Sequence, residues 1–254
     1  MRKVNGYLHV AAMGTPECLA VLSEMNGRLL ESGVYSCSDS ISVGIVGCPT
    51  QAEEMYSTVF KQYPKYHVRF FSPNLLEWEY PTLGLMQEDS RKANGLVWYA
   101  HTKGVSSYNP KVPDRIQRNS TLWRNVLCHD VFTNYKRAIQ AILHEGYVAA
   151  GPLYISGPER YPEGSNIPRH FSGNFWWSSH KYIRSLPPFP IQEHGRLGAE
   201  FWVGMGIGKL YPLSVCQTSV DLYGTNWGGP GESPLSQKHL WCKTEDSTSL
   251  YGVA

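Results

Sequence analysis

The chain of 254 residues is 17% charged and 42% hydrophobic, with a formal net charge of +2. A chain this long can bury about three quarters of its unfolded surface in one large domain, so it needs no disulfide or metal to hold it together. Near-neutrality without a Lys/Arg cluster excludes a nucleic-acid partner held by general electrostatics. With no apolar run of about 18 residues, no transmembrane segment is expected.

The first residues carry only a short apolar run broken by His9, unlike an export signal. Cys18, Cys37, Cys48, Cys128, Cys216 and Cys242 include no C-x-x-C pair and no spacing that gathers ligands, so neither zinc nor a disulfide framework is indicated. Reduced thiols fit a cytoplasmic location. The 24 Gly and 17 Pro point to long ordered loops, and the 13% aromatic content either fills a core or offers flat surfaces to sugars or bases.

Short apolar runs at residues 7–12, 41–47, 68–71 and 96–100 alternate with helical patterns. In the first pattern, PECLAVLSEMNGRLLESG, Leu19, Leu22, Met25, Leu29 and Leu30 recur at helical spacing and Gly33 closes the helix. The second, TQAEEMYSTVFKQY, opens at Thr50 with Glu53 three residues on, the spacing of a capping box. The third covers 79–93, with Pro81 in its first turn. This order implies an α/β fold with a parallel sheet and right-handed crossovers, whose ligands collect beyond the carboxyl ends of the strands.

A loop at 105–119 leads to a long helical pattern at 120–144, with Trp123, Leu127, Val131, Tyr135, Ala138, Ile139 and Ile142 on its stripe and Gly146 at its end. Asn119-Ser120-Thr121 is a sequon that reads as a helix start. Irregular chain at 151–169 precedes His170-Phe171-Ser172-Gly173-Asn174-Phe175-Trp176-Trp177 and a short helix before Leu186. Loops this long are binding loops or lids.

Several stretches carry chemistry. His101-Thr102-Lys103-Gly104 ends the fourth apolar run; singly such a His is a structural hydrogen-bonder and such a Lys a solvated charge, but together at the ligand edge they can hold an anion. Ser172–Trp177 is a core strand with a glycine bulge on one reading. On the other, Gly173 admits a ligand, Asn174 pairs with sugar hydroxyls and Trp176, on the same face as Asn174, stacks on a pyranose; His170 is a weaker candidate. Glu200, near a helix start in RLGAEFW, is a helix-terminus or salt-bridge residue or a functional carboxylate. Ala12-Met13-Gly14 and Gly47 form small-residue turns after the first two strands, permissive for a nucleotide.

Three βα units followed by an apolar fourth strand resemble the nucleotide-binding half of GT-A-fold glycosyltransferases, in which that strand commonly ends in Asp-x-Asp and holds a divalent metal against the donor's diphosphate. The HTKG stretch, with 74–83 upstream and Trp123 in a helix downstream, is similar to transferases of the rhamnan-synthesis protein F type, and the later GNFWW…LP and AEFW segments resemble uncharacterised transferases from surface-polysaccharide loci and large viruses, over about residues 5–210. The resemblance implies a GT-A-like (Rossmann-like), mixed but mainly parallel sheet flanked by helices in a single domain at 1–254. Within it, 1–104 would be the nucleotide-binding half, 105–222 the acceptor-side half and 223–254 a tail.

Where the family carries two carboxylates, this chain has His101 and Lys103. A cation placed against the leaving phosphate lowers the barrier, so Lys103 is expected to replace Mn²⁺ or Mg²⁺, with His101 donating a hydrogen bond, Thr102 alongside and Gly104 allowing close approach. No metal cofactor is expected; Glu88 and Asp89 read as solvated helix charges. By the same resemblance Glu200 is the general base of an inverting displacement, with Asp130 an alternative acid in the middle of a helix. The implied partners are a nucleotide-sugar donor and a carbohydrate acceptor, in surface-glycan synthesis. Two other readings stay open: a carbohydrate hydrolase, which needs two carboxylates across a cleft and for which no pair is evident, and a non-catalytic sugar- or nucleotide-binding protein.

Overall fold

A computed structural model describes residues 3–156, 168–216 and 241–243. The first half alternates as its pattern predicts: β1 (Val4–Ala12), α1 (Pro16–Ser32), α2 (Val34–Cys37), β2 (Ser40–Gly47), α3 (Pro49–Thr58), β3 (Tyr66–Ser72), α4 (Tyr80–Ser90) and β4 (Leu96–His101). The four strands are mutually parallel in the order β3-β2-β1-β4.

The second half continues with α5 (Asp114–Cys128), a π turn at His129–Thr133, α6 (Tyr135–His144), β5 (Tyr147–Gly151), β6 (Tyr154–Ile155), β7 (His170–Phe171) and β8 (Trp176–Ser179). It ends in α7 (His180–Ile183), α8 (Ile191–His194), α9 (Gly198–Phe201), β9 (Lys209–Pro212), β10 (Ser214–Cys216) and β11 (Trp241–Lys243). Strand β8 runs antiparallel between β4 and β5, and β9 pairs parallel to β5, which completes the seven-stranded order β3-β2-β1-β4-β8-β5-β9. A four-stranded sheet, β11-β10-β6-β7, stands beside it. The GT-A-like, Rossmann-like expectation of a mixed, mainly parallel sheet flanked by helices agrees with this architecture.

Alternation sorts the strands between two cores. Leu8, Val10, Trp98, Phe175 and Trp177 pack with α1, α3, α5 and α6 on one face, while Tyr7, Val97, Tyr99 and Trp176 pack with Leu83, Met86, Tyr182 and Trp202 on the other. The second group lies under α4, α7 and the turn after α9, and this is the face that carries the site.

Three local expectations change. Helix α3 begins at Pro49 with Cys48 as N-cap and no side-chain cap, so Thr50 is already inside the helix and no capping box forms. Proline without an N–H sits there at no hydrogen-bonding loss. The pattern at 120–144 starts earlier, at Asp114, and is broken at His129–Thr133, where the Asn134 N–H reaches back to the His129 carbonyl and the Trp177 indole donates to the Val131 carbonyl at 2.8 Å. Asn119 and Ser120 therefore fall inside a helix and are buried, neither a helix start nor a glycan acceptor. Of the residues expected as a tail, 223–254, only Trp241–Lys243 lies within the described residues, where it pairs antiparallel with β10. Among the described residues no helix is long and apolar enough to cross a membrane.

Candidate functional site

Beyond the carboxyl ends of β1 and β4 lies a cavity of about 260 Å³. Its floor holds His9, Glu79, His101, Thr102, Lys103 and Glu200, and Arg196 also lines it. The strand end at 101–104 is thus placed where the βαβ order requires a ligand to collect.

Lys103 is 8% exposed, and its ammonium lies 3.8 Å from the centroid of the Trp123 ring. That contact stabilises a cation in partly desolvated surroundings. Its backbone is held as well: the buried Arg124 guanidinium donates to the Lys103 carbonyl at 3.0 Å and pairs with Glu24. Adjacent residues of α5 therefore fix Lys103 through its main chain and its side chain.

The imidazole of His101 accounts for itself differently from the expectation. Burial, with the Lys103 ammonium adding to it, pushes its pKa down to about 3, so the ring is neutral. Its Nε2 lies 2.9 Å from the Gly173 carbonyl, which can only accept, so the single ring proton is committed there. His101 has no second N–H to offer a phosphate, and the expectation that it donates to one is corrected. The Thr102 hydroxyl accepts the Ala11 N–H at 3.0 Å. This donor set does not fit a divalent metal in the manner of Asp-x-Asp: an ammonium occupies the place of one carboxylate and a proton-bearing imidazole nitrogen that of the other.

Glu79 is the residue the sequence reading passed over. It caps α4, and its Oε2 accepts from Tyr99 Oη at 2.9 Å and Asn174 Nδ2 at 2.6 Å, while Oε1 lies 3.8 Å from His101 Nε2. Burial raises its pKa against those hydrogen bonds, and the Glu200 carboxylate pushes the same way. Glu200 lines the cavity from the four-residue α9 and accepts the Gly173 N–H at 2.5 Å. The candidates at this sheet edge come from the loops after β1, β2 and β4; the loop after β3, which ends in Trp78-Glu79-Tyr80, enters only through the 74–83 stretch of the resemblance, with no role for Glu79. The signal available was its position at the same sheet edge.

The Gly173-Asn174 turn ties these groups together. Both residues have positive φ, 94° and 55°. Its main chain binds His101 and Glu200, and the Asn174 side chain bridges Glu79 and the Trp176 indole N–H, the latter at 2.8 Å. Sugar-contact roles expected here are corrected. Trp176 is fully buried and stacks on Tyr99, so it is a core ring; Asn174 is 1% exposed and engaged by protein. A Cβ on Gly173 would meet Leu127 and Trp123, so packing against α5 fills the space foreseen for a ligand. His170 is buried against Phe201, its Nδ1 donating to the Pro168 carbonyl at 2.8 Å, and does not line the cavity.

On the donor side, Met13 and Gly104 line the cavity, whereas Ala12, Gly14 and Gly47 do not. Ala12 is buried in the core beneath α1. The Gly14 N–H donates to Gln51, and a Cβ on Gly47 would strike the Ala12 carbonyl oxygen, so both glycines serve the chain's own turns. Gly104 has φ 83° and faces Ser120, whose Cβ would lie 2.9 Å from an added methyl; α5, not a ligand, makes the close approach. Away from the site, Asp130 is buried under the Ser214 hydroxyl, and Asp89 pairs with Arg69 and the Tyr7 hydroxyl instead of standing free in solvent.

No protein-family model matches the chain, and no curated protein matches it. Among solved structures, 4-diphosphocytidyl-2C-methyl-D-erythritol synthase aligns over 92% of this chain and 96% of its own, with 12% identity and a TM-score of 0.39. Glucosyl-3-phosphoglycerate synthase from Mycobacterium tuberculosis, in complex with Mn²⁺, UDP and phosphoglyceric acid, aligns over 84% of this chain and 72% of its own, with 15% identity and a TM-score of 0.37. Likenesses this low carry nothing about the reaction.

Proposed function

We propose that this chain is a glycosyltransferase that moves a sugar from a nucleotide-sugar donor to a carbohydrate acceptor without a divalent metal, in building a surface glycan. The observation that carries the reading is the placement of Lys103, braced by Trp123 and Arg124, on the floor of a cavity that also presents two carboxylates. As the bond between the anomeric carbon and the phosphate oxygen breaks, negative charge grows on that oxygen, and a fixed ammonium beside it lowers the barrier. Arg196, across the same cavity, is a second cation for the diphosphate.

Glu200 acts as the base. It takes the proton from the acceptor hydroxyl as that oxygen bonds to the anomeric carbon, and the nucleoside diphosphate leaves with the bonding pair, so a single displacement inverts the centre. The hydrogen bond from Gly173 holds one carboxylate oxygen and leaves the other for this task. Met13, Thr102 and Gly104, with the backbone after β1, line the donor side.

A second reading gains from Glu79. A carbohydrate hydrolase needs two carboxylates in one cleft, and Glu79 with Glu200 supplies them. Calorimetric titration with UDP-, GDP- and dTDP-sugars, followed by assay of nucleoside diphosphate release in excess EDTA, separates the readings. A transferase binds one donor and releases its diphosphate; a hydrolase cleaves glycosides with indifference to nucleotide; a binding protein binds and releases nothing.

A further inference from the structure

The mouth of the cavity has a character its floor does not share. Met13, Leu75, Leu76 and Leu197 all line it and are 37%, 37%, 71% and 48% exposed. They come from three separate loops: Met13 follows β1, Leu75 and Leu76 precede α4, and Leu197 precedes α9. Single exposed aliphatic side chains are ordinary, but several that ring one opening are informative. Behind them lie the buried Lys103 with Glu79 and Glu200, while the exposed Arg196 and Ser106 and the half-buried Trp78 also line the opening. The opening is therefore charged within and, apart from Arg196 and Ser106, largely apolar around.

A free saccharide gains little from such a rim. A sugar ring finds one aromatic surface there, Trp78, but the four aliphatic side chains offer its hydroxyls neither donor nor acceptor. The cavity itself, at about 260 Å³, lies below the range of about 300–1,000 Å³ that encloses a small-molecule ligand, so a substantial part of any donor–acceptor pair must lie over the rim. We infer that the acceptor is an amphiphile: a polar, hydroxyl-bearing head enters the charged floor while an aliphatic body attached to it lies across Met13, Leu75, Leu76 and Leu197. This rests on the transferase reading for the word acceptor, but the chemistry of the ligand follows from the rim and floor.

The test uses the full chain and monomeric n-alkyl β-D-glucosides from methyl to octyl, kept below their micelle concentrations, with affinity read by calorimetry. Each methylene that becomes fully covered strengthens binding by up to about fourfold, so the octyl glucoside should bind at least about tenfold more tightly than the methyl one. Combining Leu76→Ser with Leu197→Ser, both on exposed side chains, should flatten that series, with the melting temperature confirming an intact fold. A flat series in the unaltered chain overturns the inference, as does an undiminished rise in the double variant. Binding to phosphatidylglycerol vesicles with no chain-length response assigns the rim to membrane docking and overturns it too. Loss of UDP affinity in the double variant, with no chain-length response, would make the rim a nucleobase site, again against the inference. A chain-length response that the double variant loses, with no diphosphate released from any donor, keeps the amphiphile site and removes the transferase reading.

Discussion

Asn174 donates its side-chain amide to Oε2 of Glu79 at 2.6 Å from a backbone conformation, φ 55°, that side chains other than glycine and asparagine rarely adopt. Its carbonyl oxygen meanwhile accepts the Trp176 indole N–H. Asparagine is thus required twice, once by the backbone and once by the two groups it joins. Asn174→Ala should cost about 2–4 kcal/mol, from left-handed strain and a buried indole N–H left unpaired. Asn174→Gly relieves the first cost and keeps the second, so urea unfolding should place it between alanine and the unaltered chain. Equal losses in the two variants would mean that the backbone conformation contributes nothing.

Gly104 gives a similar test on the other side of Lys103. Its φ of 83° and the 2.9 Å approach to Ser120 leave no room for a methyl group. Gly104→Ala should destabilise by about 1–3 kcal/mol and displace Lys103, which follows in a weaker affinity for nucleoside diphosphate. Unchanged stability and affinity would refute the fit to α5.

Stability should fall in mild acid. Burial lowers His9 and His180 to about 4 and His101 to about 3, and lowers His170 as well, from an ordinary value of 6.5. Between pH 6.5 and 4 the unfolded chain binds protons at these rings that the folded chain does not, so stability declines as pH falls, by about 1.4 kcal/mol per pH unit for each proton. Glu79 opposes this with a raised pKa, because the folded state keeps its proton to a higher pH than the unfolded one. The net expectation is proton uptake on unfolding near pH 5, dominated by His9, His101 and His180, read from the slope of unfolding free energy against pH. A flat profile from pH 7 to 5 would show that the rings are already charged in the fold.

The alternation of strands and helices in the first half, and the place of residues 101–104 at the carboxyl end of the fourth strand, were legible because apolar runs and helical patterns alternate cleanly up to His101. The antiparallel insertion of β8 was not, since WWSS carries no direction in its pattern. Within the site, Lys103 and Glu200 could be nominated from local sequence, but the roles of Gly173, Asn174 and Trp176 could not. Those depend on which residues arrive from 70 to 95 positions away, as in the bonds to His101 and Glu79. Glu79 escaped notice because it sits among aromatic residues at a helix start, where a carboxylate reads as favourable to the dipole and nothing more.

In the proposed reaction the Lys103 ammonium does the work of a metal at the donor phosphates. The most direct measurement of that role is the rate of nucleoside diphosphate release in excess EDTA, for the unaltered chain and for Lys103→Gln. The unaltered chain should keep full activity in EDTA, and the variant should lose about 10²–10³ in kcat, not restored by Mn²⁺. Activity that disappears in EDTA, or that survives the loss of the Lys103 charge, would contradict it.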